Sequence, residues 1–294
     1  MNNTIFLQSI VCASALVLGC SAVEHSGSLR GENHMSVSMT TRVYKTIGDV
    51  ALHLDIFTPP GSNAPRAAII FFFGGAWRGG STAQFHPQAQ RLAERGMVAI
   101  AAEYRVKTRH GVTPRECVQD AKSAVRWVRA HAAELGVDPQ RIAAGGGSAG
   151  GHLAACTALI AGLDETNEPA AISSKPAALV LFNPALDLTP DGFRPYVPAE
   201  QAAELSPLLH VAPGAPPTII FHGTADTTVP FAQAQRFTEA MQRAGNSCEL
   251  VPYEGKQHAF FNYNAAGNPS FDDTLARTEQ FLERLGYLPR AATQ

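Results

Sequence analysis

No run of like charge interrupts the 294 residues, and the formal net charge is only −2. Without a basic face, binding to nucleic acid has no electrostatic support. Self-similarity at spacings of about 20–50 residues is absent, which excludes solenoids and propellers. Low-complexity tracts are missing as well. Cysteine is scarce, with five in all. Cys12 and Cys20 lie near the start, and Cys117, Cys156 and Cys248 remain, an odd set without metal-ligand spacing. They read as small buried hydrophobes. No His/Asp/Cys cluster has metal-type spacing either, so neither a metal nor an organic cofactor is expected. What is abundant is apolar: 45% of the chain is hydrophobic and 16% charged, ample for a sizeable core.

The apolar stretch at residues 5–18 falls short of the roughly 20 residues that a membrane-spanning helix needs. It suits the core of a signal peptide covering residues 1–20. Val17-Leu18-Gly19-Cys20 looks like a lipoprotein cleavage site, with Cys20 as the lipidated residue. Residues 21–40, rich in Ser, Gly, Glu and His at their start, would form a flexible tether. Export to the periplasm, the medium or a membrane surface is the expectation, and contact with a membrane only through Cys20. The alternative is a later start at Met35 or Met39 and a cytoplasmic protein. One domain is expected over residues 41–290.

Within it, residues 43–47 and 50–57 alternate apolar and polar about Gly48-Asp49, the pattern of an antiparallel hairpin. Near-continuous apolar runs at 67–73, 97–102, 141–144, 178–182, 218–221 and 249–253 suit strands buried on both faces. Helical periods fall between them at 87–95, 114–135, 149–160, 232–244 and 271–285. Alternating strands and helices imply an α/β fold: a mostly parallel, doubly wound sheet with an antiparallel N-terminal hairpin. Residues 187–217 have no clear period, and a lid or pocket wall is the expected role.

Gly146-x-Ser148-x-Gly150 lies between a strand and a helix. A serine on so sharp a turn needs a strained backbone and small neighbours, and it sits at a helix N-terminus where the Ala149 amide is free to donate. A Walker-type phosphate loop would need Lys before Ser or Thr, and Gly147 stands there. Upstream, the strand at 67–73 runs into Gly74-Gly75-Ala76-Trp77. Such loops supply backbone donors to an oxyanion, so Gly75 and Ala76 join Ala149 as candidates. Trp77 either walls the substrate pocket or simply packs. Downstream, Asp226 and His258 each follow a strand, in the chain order Ser, acid, His. His258 would take the Ser148 proton and Asp226 would orient the imidazole. Asp187, Asp191 and Glu254 are rival acids by residue type. Of the ten histidines, His222 reads as a loop-stabilising hydrogen bonder and His152 as a first-turn helix residue.

These residues resemble the esterase/lipase superfamily of the α/β-hydrolase fold. The likeness is to the hormone-sensitive-lipase-like enzymes, and especially to their acetyl-esterase and bacterial feruloyl-esterase-type branch. Phe73-Gly74-Gly75-Ala76-Trp77 stands against the family's His-Gly-Gly-Gly-Trp. Glu103-Tyr104-Arg105, the helix from Asp120 to Trp127, the elbow from Gly146 to His152, and the Asp226 and His258 loops also match. Coverage runs from about residue 43 to 288. The resemblance implies a serine carboxylesterase acting on short acyl esters, either small molecules or acetyl or feruloyl groups on polysaccharide. It also implies that Tyr104, Arg105 and Asp120 are structural. Phe73 lacks the hydrogen bonds of the family's His, which puts loop rigidity in question, and Ala76 donates only with negative φ or tolerated strain. Alternatives are a prolyl-oligopeptidase-type peptidase and a non-catalytic binding module on the same scaffold.

Overall fold

A computed structural model describes residues 36–61, 64–169, 171–189 and 196–290. The expected signal peptide with Cys20, most of the tether, and Asp191 with its neighbours in the wall segment lie outside the described residues. The described residues belong to one compact unit, Met35–Gln294. In chain order the elements are β1 (Ser38–Ile47), β2 (Val50–Thr58), β3 (Arg66–Phe72), α1 (His86–Glu94), β4 (Val98–Ala102), α2 (Lys107–His110), α3 (Pro114–Ala130), β5 (Val137–Gly147), α4 (Ala149–Leu159), β6 (Ala178–Phe182), β7 (Thr218–Gly223), α5 (Phe231–Arg243), β8 (Cys248–Tyr253) and α6 (Pro269–Arg284). The eight strands form one sheet in the order β1-β2-β4-β3-β5-β6-β7-β8. β1 and β2 run antiparallel and the rest are parallel to one another. This is the α/β-hydrolase architecture.

Strand identity follows burial. β4 and β6 are buried at every residue, as continuous apolar runs on a two-sided sheet require. Successive side chains point to opposite faces. Ile70 and Phe72 enter the layer under α3, α4 and α5, while Ile69 and Phe71 enter the layer under α1 and α6. Two boundaries differ from the sequence pattern because edge pairing extends them. β1 begins at Ser38, inside the expected tether, where it pairs with Thr58. β5 begins at Val137, opposite Arg66. The expected helix at 114–135 ends earlier, at Ala130, and continues as turns to Gly136, which takes φ 63°. Its start is set by Pro114 and by Thr113 and Glu116, which cap each other.

Asp120 ties three elements together. It is fully buried on α3. It accepts from Lys45 Nζ on β1 at 2.7 Å, and from Arg105 N, Nε and Nη2 at 2.9, 2.8 and 2.9 Å. Its structural role, implied by the family resemblance, has this physical content: one carboxylate compensates two nearly buried cations. Removing it strands both, although Glu165, 3.2 Å from Lys45, compensates in part. Asp120→Ala is therefore expected to lose about 3 kcal/mol, near the low end for breaking a buried ion pair. Urea unfolding of the variant beside wild type reads this directly.

Candidate active site

The turn between β5 and α4 holds Ser148 at φ 55° and ψ −119°. This strained conformation persists because the backbone around it leaves no alternative. A Cβ on Gly150 would stand 1.9 Å from the Phe72 carbonyl oxygen, and one on Gly146 would stand 2.5 Å from it. Only glycine fits at either place. The Ser148 amide donates to Phe182 O at 2.9 Å and anchors the turn to β6. The Ala149 amide, at the first position of α4, donates to no group among the described residues.

His258 follows β8, and its Nε2 lies 2.9 Å from Ser148 Oγ. Its Nδ1 lies 2.7 Å from Asp226 Oδ2, in the turn after β7. A carboxylate there selects the tautomer with hydrogen on Nδ1 and leaves Nε2 to accept from the serine. The other Asp226 oxygen accepts from the amides of Thr228 and Val229, both at 2.9 Å. Burial alone would push the Asp226 carboxyl up. Bonds from His222, His258 and the Val229 amide outweigh it and hold the group well below the usual carboxylate range. His222 is buried, its Nε2 2.9 Å from Val229 O and 3.3 Å from Asp226 Oδ2, so it braces the acid's loop. The rival acids stand elsewhere: Asp187 pairs with Thr189 and Arg236, and Glu254 is exposed to solvent.

Of the residues that support these loops, sequence reasoning read His222 but missed Gln84 and Asn183. Gln84 Oε1 accepts from the Gly74 amide at 2.6 Å, and its Nε2 donates to Asn262 Oδ1 at 2.9 Å. Gln84 thus supplies the loop support that Phe73 cannot. Phe73 contributes differently: its ring stacks on Tyr104 at 4.2 Å, and the Tyr104 hydroxyl donates to Phe73 O at 2.8 Å. Asn183, at the end of β6, accepts from the Ala259 amide at 3.0 Å and sets the backbone beside His258. Its position before a proline at a strand end was the one visible signal. Gln84 had none.

In the donor loop, Gly75 takes φ 125°, Ala76 φ 53° and Trp77 φ 58°. Ala76 therefore adopts the strained alternative, not negative φ. The Gly75 and Ala76 amides carry no partner among the described residues. Trp77 is buried, and its Nε1 donates to His152 Nδ1 at 3.2 Å. It both packs and lines the pocket, so the two readings were not exclusive. His152 lies in the first turn of α4, as expected, and its side chain does more than that position implies. It is wholly buried, and its Nε2 donates to Leu205 O at 2.7 Å.

Around Ser148 lies a cavity of about 330 Å³ walled by Ala76, Trp77, Ala149, Ala185, Tyr196 and Thr228. Tyr196 belongs to the aperiodic segment, and the Arg78 guanidinium sits 4.9 Å above its ring. A larger space of about 620 Å³ between α1 and α6 has no Ser, Thr, Cys or His in its lining. Among the described residues no group of three His, Cys, Asp or Glu could hold a metal ion. Cys117, Cys156 and Cys248 are free and buried.

Residues 54–189 and 192–241 match the BD-FAE family. The chain belongs to that family. Esterase 2 of Thermogutta terrifontis, in its apo form, is 50% identical with a TM-score of 0.83, over 86% of this chain and 97% of that one. Structures of the same esterase carry propionate, butyrate or the product of phosphorylation by paraoxon. Esterase LipC of Mycobacterium tuberculosis is 31% identical over 67% of this chain and 53% of its own length. Isoprenylcysteine alpha-carbonyl methylesterase ICME of Arabidopsis thaliana is 28% identical over 70% and 53%. The chain spans about half the length of the curated relatives it matches. These relatives set this BD-FAE member among the carboxylic ester hydrolases.

Burial lowers the His152 pKa from 6.5 to about 4. Between those values the unfolded chain binds the proton and the folded chain does not. The stability this neutral imidazole carries is thus complete above pH 6.5 and is lost as pH falls to about 4, on the order of 3 kcal/mol in all. His152→Gln keeps an acceptor and a donor but does not titrate. Its urea unfolding free energy is expected to fall less than that of wild type on acidification from pH 7 to 4, by about that amount.

Proposed function

We propose that this protein is a serine carboxylesterase that cleaves short-chain acyl esters through an acyl-Ser148 intermediate. The observation that carries the reading is the unbroken relay from Asp226 through His258 to Ser148, with contacts of 2.7 and 2.9 Å. Ser148 Oγ attacks the ester carbonyl carbon while His258 Nε2 takes its proton. The carbonyl electron pair moves to oxygen, where the amides of Ala149, Gly75 and Ala76 are the free donors at hand. The carbonyl re-forms, the bond to the alcohol oxygen breaks, and His258 returns the proton to the departing alcohol. Water then repeats the cycle on the acyl-enzyme and releases the carboxylic acid. Asp226 stays ionised and stabilises the imidazolium in both halves.

Short acyl groups are supported by the size of the cavity, about 330 Å³, at the small end of ligand pockets. The propionate and butyrate held by the Thermogutta esterase point the same way. Acetyl or feruloyl esters of polysaccharide are the natural substrates we favour, because residues 1–20 read as an export signal and the substrate would lie outside the cytoplasm. Residues 196–217 then serve as the pocket wall through Tyr196.

On a series of p-nitrophenyl esters, kcat/KM is expected to peak between acetate and butyrate and to fall by at least about tenfold at octanoate. Acetylated xylan and methyl ferulate extend the series to natural esters. Ser148→Ala is expected to lose at least about 10⁴-fold in kcat; undiminished turnover by that variant overturns the mechanism. Export is read separately, by mass spectrometry of the protein from the native host. A lipid-modified mature chain starting at Cys20 is expected, and an unprocessed N-terminus refutes it.

A further inference from the structure

Oxyanion donors on this scaffold come from two separate segments. One is the start of α4, with Ala149, and the other is the loop with Gly75 and Ala76. They serve one oxygen only if their spacing is held. Ala76 and Trp77 both lie in the left-handed region, at φ 53° and 58°. Neither is glycine, and such a pair opposes its own conformation by about 1–3 kcal/mol each. Something must oppose that strain.

Several bonds hold the loop to other parts of the fold. Gly74 is bonded to Gln84, and the Lys107 amide donates to Trp77 O at 2.9 Å. None of these reaches α4. Among the described residues, one hydrogen bond joins the loop to that helix: Trp77 Nε1–H to His152 Nδ1 at 3.2 Å. The two rings meet edge to face, with centroids 5.0 Å apart and planes at 89°. His152 lies one turn along α4 from Ser148, and its amide donates to Ser148 O at 3.0 Å. On its far side, Nε2–H donates to Leu205 O at 2.7 Å. Leu205 is fully buried in the segment that also carries the pocket residue Tyr196. With both polar atoms committed and one hydrogen to give, the imidazole must be the neutral Nε2–H tautomer.

We infer that His152 is a positioning residue for the oxyanion hole: it sets the distance between the Gly75–Ala76 amides and the Ala149 amide by gripping Trp77. The inference rests on the serine-esterase reading, because only a developing oxyanion needs both sets of donors. The His152 side chain does not line the pocket and bonds to no triad side chain. Its effect belongs to the transition state, so kcat falls and KM stays. Misplacement by about 1 Å costs on the order of 10²-fold in rate.

The test uses the full chain and p-nitrophenyl acetate, with wild type and Ser148→Ala assayed first. Undiminished activity in Ser148→Ala sinks the acyl-serine reading and this inference with it, whereas loss of activity in Ser148→Ala beside unchanged kcat in His152→Phe and Trp77→Phe sinks this inference alone. His152→Phe is expected to lower kcat about 30- to 100-fold with KM within about threefold. His152→Gln, which keeps an acceptor for Trp77 and a donor for Leu205 O, is expected to recover to within about fivefold of wild type. Trp77→Phe removes the donor without touching α4 and is expected to lose about as much as His152→Phe. The double variant should be no worse than either single one, since both break the same link. Weakened inhibition by a trifluoromethyl ketone, which forms a tetrahedral adduct with an oxyanion, should parallel the loss in kcat. Should His152→Phe fail to fold, Trp77→Phe and His152→Gln still decide the matter. Additive losses, a rise in KM in place of a fall in kcat, or unchanged kcat in Trp77→Phe overturns the inference.

Discussion

Close contact between two pieces of backbone governs the rest of this molecule. The turn that carries Ser148 presses on the end of β3 so tightly that Gly146 and Gly150 leave no room for a Cβ beside the Phe72 carbonyl. β3 and β5 pair in parallel, with Phe72 opposite Gly146. The two strands therefore end level, and the chain leaving β3 opens beside the nucleophile. The same arrangement recurs two strands away, where Gly223 of β7 lies opposite Tyr253 of β8. Asp226 and His258 then emerge from neighbouring strand ends on the same side of the sheet. The relay of Ser148, His258 and Asp226 is a consequence of parallel register, with the strained turn as its reference point.

Much of this was legible because the signals are local. A serine between glycines, bounded by an apolar strand and a helix, is restricted by sterics to few uses. The strands β3, β4 and β6 announce themselves as unbroken apolar runs. Gln84, Asn262 and His152 do not announce themselves. Each is a common polar residue whose work is defined by a partner far along the chain: Gln84 and Asn262 are separated by 178 positions, and Trp77 and His152 by 75. No periodicity encodes such pairs. The misjudged boundaries have the same origin, since β1 and β5 reach past their apolar stretches only because a neighbouring strand offers backbone partners there.

Phe73 illustrates how support of one kind is exchanged for another. A histidine at this place, as in the resembling enzymes, would brace the donor loop through polar contacts. Here the ring is buried against Tyr104, and the tyrosine hydroxyl bonds to the Phe73 carbonyl. Gly80 takes φ 115° with a Cβ position only 2.4 Å from the Phe73 ring, so the loop must return across the aromatic face as glycine. Gln84 takes over the polar task at Gly74. Stacking, one glycine and one amide side chain hold the two ends of the loop, and the Trp77–His152 bond reaches its middle.

Two imidazoles lie near Ser148, and the proposed mechanism assigns proton transfer to one of them. His258 faces an ionised carboxylate that three hydrogen bonds hold well below its usual range, so a proton gained at Nε2 is stabilised across the ring. His152 faces an indole N–H and a backbone carbonyl, with Cys156 Sγ 3.2 Å from its Nε2. Among the described residues no carboxylate bonds to it, and burial lowers its pKa to about 4. Charging it would break the bond from Trp77, because a protonated Nδ1 cannot accept. In the proposed mechanism the fold thus separates two tasks that the same side chain could perform: the solvent-touching histidine paired with a carboxylate would carry protons, and the dry one paired with neutral groups would carry position.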